Sequence, residues 1–312
     1  MAILLATQFD ADDWTAWWPA LQQALQGERL LRDRAEAVPG DPITIALVAN
    51  PPNGALADLP DLRLVQSLWA GVDKLLADST VPRDVPLARM VDPAMNEAMA
   101  ETALWAVLSL HRDHFAYARA QRDRRWQPLS QRRADEVGVA VLGLGQMGRT
   151  CARRLARNGY PVVGWSSRAV EVDDVVTHAG AAALPQVLAQ ADIVVNLLPL
   201  TDETRGLFNA GTFALLRRGA AVVNLARGGH VVEADLLDAL ASGQLGHAVL
   251  DVFDTEPLPG THPFWSHPAI TLLPHVAAQT DPRSAAAIAA RNVRALRDGR
   301  PFEHLVDRSR GY

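Results

Sequence analysis

The feature that most constrains this chain is a regular alternation between short runs rich in β-branched residues and longer stretches with apolar residues at helical spacing. Between residues 137 and 273 we predict buried strands at 137–142, 162–163, 193–196, 220–224, 247–250 and 270–273. Helices are predicted between them, from Met147 to Asn158, from Leu184 to Gln190 and from Glu233 to Ser242. Strands that alternate with helices in this way indicate βαβ units, so we expect an α/β fold with a doubly wound parallel sheet.

The N-terminal third repeats this pattern more weakly. Strands are predicted at 3–5, 43–48 and 64–65, with turns at 51–54 and 82–86. One helix face is indicated by apolar residues spaced i, i+3, i+4, i+7 and i+11, which are Trp14, Trp17, Trp18, Leu21 and Leu25. The pattern therefore predicts a second, smaller α/β domain.

Composition excludes several classes of protein. The 312 residues are 49% hydrophobic and 21% charged, with a net charge of −5, so a disordered chain is excluded and nucleic acid or an anionic membrane is not an expected partner. The single cysteine, Cys151, cannot form an internal disulfide. The apolar run at 2–6 is too short for a signal-peptide core, and no membrane span or metal site is expected. We therefore expect a cytoplasmic protein.

A glycine-rich turn follows the first strand of the larger predicted sheet. Val139–Leu142 leads directly into the glycine-rich residues Gly143, Leu144, Gly145, Gln146, Met147 and Gly148. In this βαβ context Gly143 permits a tight turn, Gly145 lets the backbone approach a pyrophosphate, and Gly148 lets helix and strand pack closely. The helix N-terminus adds unpaired N–H groups and the positive end of its dipole. The motif predicts a Rossmann-type dinucleotide site, to which we assign Gly143, Gly145, Gln146, Met147 and Gly148.

The second strand of this sheet ends in Trp165, Ser166, Ser167 and Arg168. An NAD-selective site usually has an acidic residue here that holds the ribose 2′-hydroxyl, and this chain has none. Two hydroxyl groups and a planar guanidinium suit a 2′-phosphate instead. We therefore predict that NADPH is the preferred cofactor and that NADH is used more weakly.

Two long helices are predicted at the borders of the larger domain, from Ala94 to about Ala118 and from Asp281 to Asp298. No strand is predicted after the second helix, so we expect this helix to return to the N-terminal domain. The predicted organisation is a Rossmann cofactor domain at 100–280, inserted in a smaller flavodoxin-like α/β substrate domain made of 1–99 and 281–312. The cleft between the domains is the expected place for chemistry.

Candidate catalytic side chains follow three successive strands of the larger sheet. Arg227 comes after 220–224, Glu256 after 247–250 and His275 after 270–273. Ligands of open α/β sheets bind at the carboxyl ends of the strands. Hydride transfer to a 2-keto acid needs a cation for the carboxylate and carbonyl, an acid for the developing alkoxide, and a group that keeps this acid charged. These three residues match those needs.

The same segments carry a resemblance. The blocks that begin at Asn224 (NLARGG), Leu250 (LDVFDTEPL) and Pro274 (PHVAA) resemble the signature blocks of the D-isomer-specific 2-hydroxyacid dehydrogenases. The likeness extends to 9–18, 165–168 and 307–312, so the chain resembles NADPH-preferring members of that family over essentially its whole length.

The resemblance implies roles for individual residues. Arg227 would bind the substrate carboxylate and keto oxygen, His275 would donate the proton, and Glu256 would hydrogen-bond the other imidazole nitrogen. Asp251 would hold the nicotinamide carboxamide. The cofactor cleft would be lined by Leu198, Pro199, Ala226 and Arg227, with Thr201 and Thr204 in the loop after 193–196.

The substrate side is expected in the smaller domain. Trp69, Ala70, Gly71 and Val72 resemble the family's glycine-bearing loop, whose backbone N–H groups bind the substrate carboxylate. Trp69 and Met95 are candidates for limiting the pocket, with core packing as the alternative for each.

The resemblance implies NADPH-dependent reduction of small 2-keto acids, from glyoxylate to glycolate and from hydroxypyruvate to D-glycerate. Two alternatives stay open: a dehydrogenase for a bulkier 2-keto acid, and a dinucleotide-sensing co-repressor. A homodimer is also implied, with Trp105, Leu108 and the arginine-rich segment 121–133 as plausible contacts; a solvated loop is the alternative for that segment.

Overall fold

The computed structural model describes residues 2–311, so Met1 and Tyr312 of the predicted substrate domain lie outside the described residues. The strands are β1 (Ala2–Thr7), β2 (Arg29–Leu31), β3 (Ile43–Ala49), β4 (Leu64–Ser67), β5 (Leu87–Ala88), β6 (Val139–Leu142), β7 (Val162–Ser166), β8 (Val176–Ala179), β9 (Ile193–Asn196), β10 (Ala220–Asn224), β11 (Leu245–Leu250) and β12 (Ile270–Leu272). The helices are α1 (Ala11–Ala24), α2 (Asp73–Ala77), α3 (Pro93–His111), α4 (His114–Arg122), α5 (Gln146–Arg157), α6 (Leu184–Ala189), α7 (Ala210–Leu215), α8 (Glu233–Ala241) and α9 (Pro282–Asp298).

Contacts divide the chain into two compact units. Unit 1 consists of the described residues up to Met95 and those from Thr280 onward, and unit 2 is Asn96–Gln279. The first border falls in the first turn of α3, and the second falls just before α9.

Unit 1 is built on a five-stranded sheet with the strand order β2-β1-β3-β4-β5, in which every pair is parallel. This is the flavodoxin-like order, and it confirms the predicted fold of the smaller domain. Asp10 caps α1, where Trp17 and Leu21 are buried and Trp14 and Trp18 are half-buried. The C-terminal helix α9 packs against α1 within this unit.

Unit 2 is built on a seven-stranded parallel sheet with the order β12-β11-β10-β9-β6-β7-β8. The order reverses between β6 and β9, which is the Rossmann arrangement with its switch point beside the first strand. Apolar clusters cover both faces of the sheet, as a doubly wound fold requires. The predicted α/β, doubly wound architecture is confirmed.

Some predicted elements were wrong. The single helix predicted from Ala94 to about Ala118 is two helices, α3 and α4, because Asp113 adopts a left-handed conformation with φ 55° that an α-helix cannot contain. The short strands β2, β5 and β8 and the helix α7 were not predicted. β2, β5 and β8 are two to four residues long, and β8 is an edge strand without a buried residue, so none of them shows a clear apolar pattern.

Candidate active site

The glycine-rich loop joins β6 to α5, and its three glycines have different surroundings. Gly143 has φ +95°, and a Cβ there would lie 2.6 Å from the Leu197 carbonyl oxygen. A Cβ on Gly148 would lie 1.7 Å from the Gly143 carbonyl oxygen, whereas a Cβ on Gly145 would meet nothing within 4 Å. Two glycines are therefore required by the fold, and Gly145 borders open space.

The N-terminus of α5 is open to an anion. Gly145 is its N-cap and supplies no side-chain cap, so the first amides of this 12-residue helix, including those of Gln146 and Met147, have no side-chain acceptor at the cap position. Free helix N-terminal amides beside a glycine that leaves space are what a bound pyrophosphate requires. The loop therefore fits a dinucleotide.

The residues at the end of β7 divide into two groups. The Trp165 indole is buried in the core and donates from Nε1 to the Gly180 carbonyl at 2.9 Å. Ser166 Oγ donates to the Arg168 carbonyl at 2.6 Å, while Ser167 and Arg168 are exposed. Within residues 2–311, no carboxylate forms an ion pair with Arg168. The exposed pair is thus available to a ligand, whereas the Trp165 ring is committed to packing.

Three ionisable side chains stand beyond successive strand ends. Arg227 follows β10, Glu256 follows β11 and His275 follows β12. His275 Nδ1 lies 2.8 Å from Glu256 Oε2, and Glu256 Oε1 accepts a hydrogen bond from the Phe253 amide at 2.9 Å. Arg227 donates to the Ala226 carbonyl at 2.7 Å. The structure therefore brings Glu256 and His275 into direct contact.

The electrostatics of this pair favour an ionised carboxylate. Burial opposes ionisation of Glu256, but the hydrogen bonds from His275 and from the Phe253 amide, together with the charges of His275 and Arg227, outweigh it and lower the pKa of Glu256. A carboxylate at Nδ1 fixes the tautomer of the imidazole and leaves Nε2 to exchange a proton with a ligand. The positive charge of Arg227 is one of the causes that lower the pKa of Glu256.

Asp251 sits directly after β11 and is 1% exposed. Its Oδ1 accepts from the Val276 amide at 2.7 Å, and its Oδ2 accepts from the Ala277 amide at 3.1 Å. Its backbone carbonyl accepts from the His275 amide at 2.9 Å. Burial raises the pKa of Asp251, against these hydrogen bonds. Asp251 therefore fixes the loop in which His275 has the left-handed φ of 56°.

The loops after β9 and β10 are tied together by buried polar groups that the sequence analysis did not assign to the site. Asn196 Nδ2 donates to Asn224 Oδ1 at 3.0 Å, and both side chains are 0% exposed. Asn196 Oδ1 accepts from the Leu198 amide at 3.2 Å, and Asn224 Nδ2 donates to the Arg227 carbonyl at 2.9 Å. Within the loop after β9 itself, Thr204 Oγ1 donates to the Pro199 carbonyl at 2.7 Å and accepts from the Thr201 amide at 2.8 Å.

The loop after β4 in unit 1 contains Trp69, Ala70, Gly71 and Val72. Ser67 Oγ accepts from the Trp69 amide at 3.0 Å and donates to the Trp69 carbonyl at 2.9 Å, so this backbone is fixed. The amides of Ala70, Gly71 and Val72 donate no hydrogen bond to the part of the chain that the structure describes. The Trp69 ring packs edge-on against Trp17, with centroids 5.4 Å apart, while Met95 is buried.

The strand order and the open glycine loop place the chain in the class of Rossmann-type dinucleotide-binding proteins. Residues 104–277 match the NAD binding domain of the D-isomer specific 2-hydroxyacid dehydrogenases. The chain belongs to this family and is an NAD(P)-dependent oxidoreductase of 2-hydroxy acids.

Similar proteins share both the sequence and the fold. A glyoxylate/hydroxypyruvate reductase A from Serratia proteamaculans is 41% identical over 311 residues, 97% of each chain. A D-isomer specific 2-hydroxyacid dehydrogenase from Xanthobacter autotrophicus Py2, solved with NADPH and MES, has a TM-score of 0.93 and 43% identity, covering 100% of this chain and 99% of its own. An NADPH-dependent glyoxylate/hydroxypyruvate reductase from Sinorhizobium meliloti, solved with NADP and sulfate, has a TM-score of 0.92 and 37% identity with the same coverage.

No helix within residues 2–311 is long and apolar enough to cross a membrane. No group of three or more His, Cys, Asp or Glu side chains in this range is placed to hold a metal ion.

Proposed function

We propose that this chain is an NADPH-dependent reductase of small 2-keto acids, which converts glyoxylate to glycolate and hydroxypyruvate to D-glycerate. The observation that carries the proposal is the contact of 2.8 Å between His275 Nδ1 and Glu256 Oε2, beyond strand ends of a sheet whose first loop fits a dinucleotide. The names of the relatives from S. proteamaculans and S. meliloti, which are glyoxylate/hydroxypyruvate reductases, support the choice of substrates.

In the proposed reaction the bound cofactor supplies a hydride to the carbonyl carbon. Arg227 holds the substrate carboxylate and polarises the keto oxygen, and His275 donates a proton from Nε2 to that oxygen as it becomes an alcohol. Glu256 accepts a hydrogen bond from Nδ1 and so holds the ring with Nε2 directed to the substrate. The products are the 2-hydroxy acid and the oxidised cofactor.

We propose that unit 2, for which the sequence predicts the range 100–280, binds the cofactor. Gly143, Gly145 and Gly148, with the amides of Gln146 and Met147, receive the pyrophosphate. Ser166, Ser167 and Arg168 receive the 2′-phosphate, with Trp165 shaping this strand end from the core. Leu198, Pro199, Thr204, Ala226 and Asp251 complete the cleft, with Asp251 holding the carboxamide.

We propose that unit 1, for which the sequence predicts the ranges 1–99 and 281–312, binds substrate. The backbone amides of Ala70, Gly71 and Val72 are suited to a carboxylate because none of them has an acceptor in the part of the chain described. Trp69 limits the size of the substrate. A small 2-keto acid, and no nucleic acid or membrane, is the proposed partner.

We also propose a homodimer. Trp105 and Leu108 are 39% and 40% exposed on α3, and Trp126 in the arginine-rich segment 121–133 is 99% exposed. Large apolar side chains at a surface are typical of contacts between subunits. Light scattering of the purified chain tests this proposal, and a monomer at all concentrations would contradict it.

The decisive experiment is a panel of 2-keto acids assayed with NADPH and with NADH. We expect NADPH oxidation with glyoxylate and hydroxypyruvate, a lower kcat/KM with NADH, and loss of that difference in Arg168→Ala. Comparable kcat/KM values for the two cofactors in the wild type would contradict the NADPH preference. Faster turnover of a bulky keto acid would support a different dehydrogenase, and tight dinucleotide binding without turnover would support a co-repressor.

A further inference from the structure

His230 is a buried histidine for which the proposed reaction has no role. It ends a short 3-10 turn, Gly228–His230, directly after Arg227, and its side chain is 0% exposed. Its Nδ1 lies 3.0 Å from the Arg227 carbonyl oxygen, and its Nε2 lies 3.2 Å from the Pro199 carbonyl oxygen. The ring therefore stands between the loop after β9 and the loop after β10.

We propose that His230 is a positioning residue, whose imidazole ties the Pro199 loop to the Arg227 loop and so holds the backbone from which Arg227 reaches the substrate. This inference rests on the proposed function of Arg227 and Pro199. It extends that function by assigning a role to a residue that touches neither substrate nor cofactor.

The two carbonyl groups do not need the imidazole for their own hydrogen bonding. The Arg227 carbonyl also accepts from Asn224 Nδ2 at 2.9 Å and from the His230 amide at 3.3 Å. The Pro199 carbonyl also accepts from Thr204 Oγ1 at 2.7 Å. Because both acceptors have other donors, the contribution of the ring is to join the loops.

The tautomer of His230 decides which of its two ring contacts is a hydrogen bond. A neutral imidazole donates from one nitrogen only, and both of its partners here are acceptors. Burial, together with the charges of Arg227 and Arg205, lowers the pKa of His230 and favours the neutral ring. His230 already belongs to the Arg227 loop through its backbone, so the proposal assigns the ring proton to Nε2, from which donation to the Pro199 carbonyl connects the loops.

Backbone contacts beside this ring are the ones that should respond to its loss. The Phe208 amide donates to the His230 carbonyl and the Gly206 amide donates to the Gly229 carbonyl, each at 2.9 Å. The Val232 amide donates to the Phe208 carbonyl at 2.9 Å. These bonds join the same two loops, farther along the chain from the Asn196–Asn224 pair.

The test compares His230→Leu and His230→Gln with the control His247→Leu. His247 is also buried in unit 2, at 7% exposure, and its Nε2 lies 2.9 Å from Thr271 Oγ1. The control therefore removes an imidazole and a hydrogen bond from the same unit, away from both loops. Glutamine retains an amide donor for Pro199, whereas leucine has none.

We expect His230→Leu to accelerate hydrogen exchange of the Gly206, Phe208 and Val232 amides in the ligand-free protein by about tenfold. It should lower kcat/KM for glyoxylate by about 10–10²-fold, because small displacements of positioned groups slow reactions strongly. The Kd of the cofactor should change less. His230→Gln should restore much of the protection from hydrogen exchange and much of kcat/KM. His247→Leu should change neither the exchange of these amides nor kcat/KM.

Equal exchange and equal kcat/KM in His230→Leu and His247→Leu would overturn the proposal. If His230→Leu does not fold, His230→Gln decides: exchange and kinetics close to wild type support the tie, and kcat/KM as low as that of Arg227→Ala contradicts it. Failure of the proposed function would show as a wild-type protein that reduces no keto acid. The exchange comparison in the ligand-free protein would then still test the tie.

Discussion

Both sheets of this molecule are parallel, but different types of residue follow the carboxyl ends of their strands. In unit 2 the loops after β10, β11 and β12 carry Arg227, Glu256 and His275. In unit 1 the prominent side chains after β1 and β4 are aromatic, Phe9 and Trp69. The groups of the β4 loop without a hydrogen-bond partner within residues 2–311 are the Trp69 indole N–H and the backbone amides of residues 70–72. In both units the residues proposed for the site follow parallel strands. The residue types differ, with charged side chains in unit 2 and aromatic side chains in unit 1.

The difference extends to the buried polar groups that shape these loops. Asn196, Asn224, His230 and Asp251 are all buried at or just beyond the strand ends of unit 2. In unit 1 the Ser67 hydroxyl bonds both the amide and the carbonyl of Trp69. The buried Gln66 side chain donates to the Ser67 carbonyl at 2.8 Å and accepts from Asn292 Nδ2 at 2.7 Å. Buried hydrogen bonds therefore fix loops in both units, and in unit 2 the loops that they fix carry charged side chains, for which the proposed function requires accurate placement.

The largest effect is expected from removal of the proposed acid of unit 2, His275. His275→Ala should lower kcat by about 10²–10⁴-fold while cofactor binding is retained, because only the proton donor is lost. Stopped-flow turnover and cofactor titration measure the two quantities. His304→Ala, which changes an exposed histidine of unit 1, is the control and should leave kcat unchanged. A near-normal kcat in His275→Ala would mean that the charged strand ends of unit 2 are not catalytic.

The charged residues of unit 2 could be assigned to loops from the sequence because β-branched runs mark the strands and each residue lies three to six positions beyond a strand end. The supports could not be identified in this way. Asn196 and Asn224 end predicted strands, and nothing in a linear sequence shows that their side chains meet. His230 is polar at a position that proves fully buried, which becomes interpretable only when Pro199 is brought beside it.

Other details also depend on contacts that the sequence does not reveal. Trp165 was assigned to the cofactor site from its position in the motif, but its indole is fixed in the core by Gly180. Asp113 ends a helix without glycine or proline, because aspartate adopts the left-handed conformation at moderate cost. His275 adopts the same conformation, and the hydrogen bonds that Asp251 accepts from the next two residues explain how it is maintained.

Low pH should destabilise unit 2 more than unit 1, because unit 2 contains buried histidines and the one histidine of unit 1, His304, is exposed. Burial, with the charges of Arg119 and His267, lowers the pKa of His247 from 6.5 to about 4. Below pH 6.5 the unfolded chain binds a proton that folded His247 resists, so its contribution to stability is present at neutral pH and lost as the pH falls toward about 4. The free energy of unfolding should decrease by about 3 kcal/mol from this residue.

Urea unfolding at pH 7.5 and at about pH 4.5 measures this effect in the wild type and in His247→Leu. The variant should be less stable at neutral pH and should lose less stability on acidification, since leucine does not titrate. An equal decrease in the free energy of unfolding in both proteins would show that His247 is not responsible for the acid sensitivity.

Removal of Arg227 is expected to slow the reaction less than removal of His275. Arg227→Ala should lower kcat/KM for glyoxylate by about 10–10²-fold, because a charge-assisted contact to the carboxylate contributes about 1.5–3 kcal/mol. Arg227→Lys should recover only part of this loss, since an ammonium cannot make the planar, paired contacts of a guanidinium. Steady-state kinetics with varied keto acid measure both, and an unchanged kcat/KM in Arg227→Ala would remove this residue from the site.

The glycine loop offers a matched pair of substitutions. Gly145→Ala places its Cβ in open space, so it should raise the cofactor Kd by about tenfold, or about 1.4 kcal/mol, with little change in stability. Gly148→Ala places its Cβ 1.7 Å from the Gly143 carbonyl oxygen and should lower the free energy of unfolding. Fluorescence titration and urea unfolding separate the two effects. Unchanged cofactor affinity in Gly145→Ala would contradict the assignment of that open space to the pyrophosphate.

The smallest expected effect concerns the aromatic loop of unit 1, and it decides whether Trp69 acts on substrate or only on packing. Trp69→Leu should raise the kcat/KM of a larger keto acid relative to glyoxylate by about 3–10-fold, because it enlarges an apolar wall. The control is Trp17→Leu, which removes the buried ring that Trp69 contacts. If Trp69 only packs, both variants should lower the free energy of unfolding and neither should change the substrate ratio. A changed ratio in Trp69→Leu alone would show that unit 1 selects the substrate with its side chains, while unit 2 reacts with it.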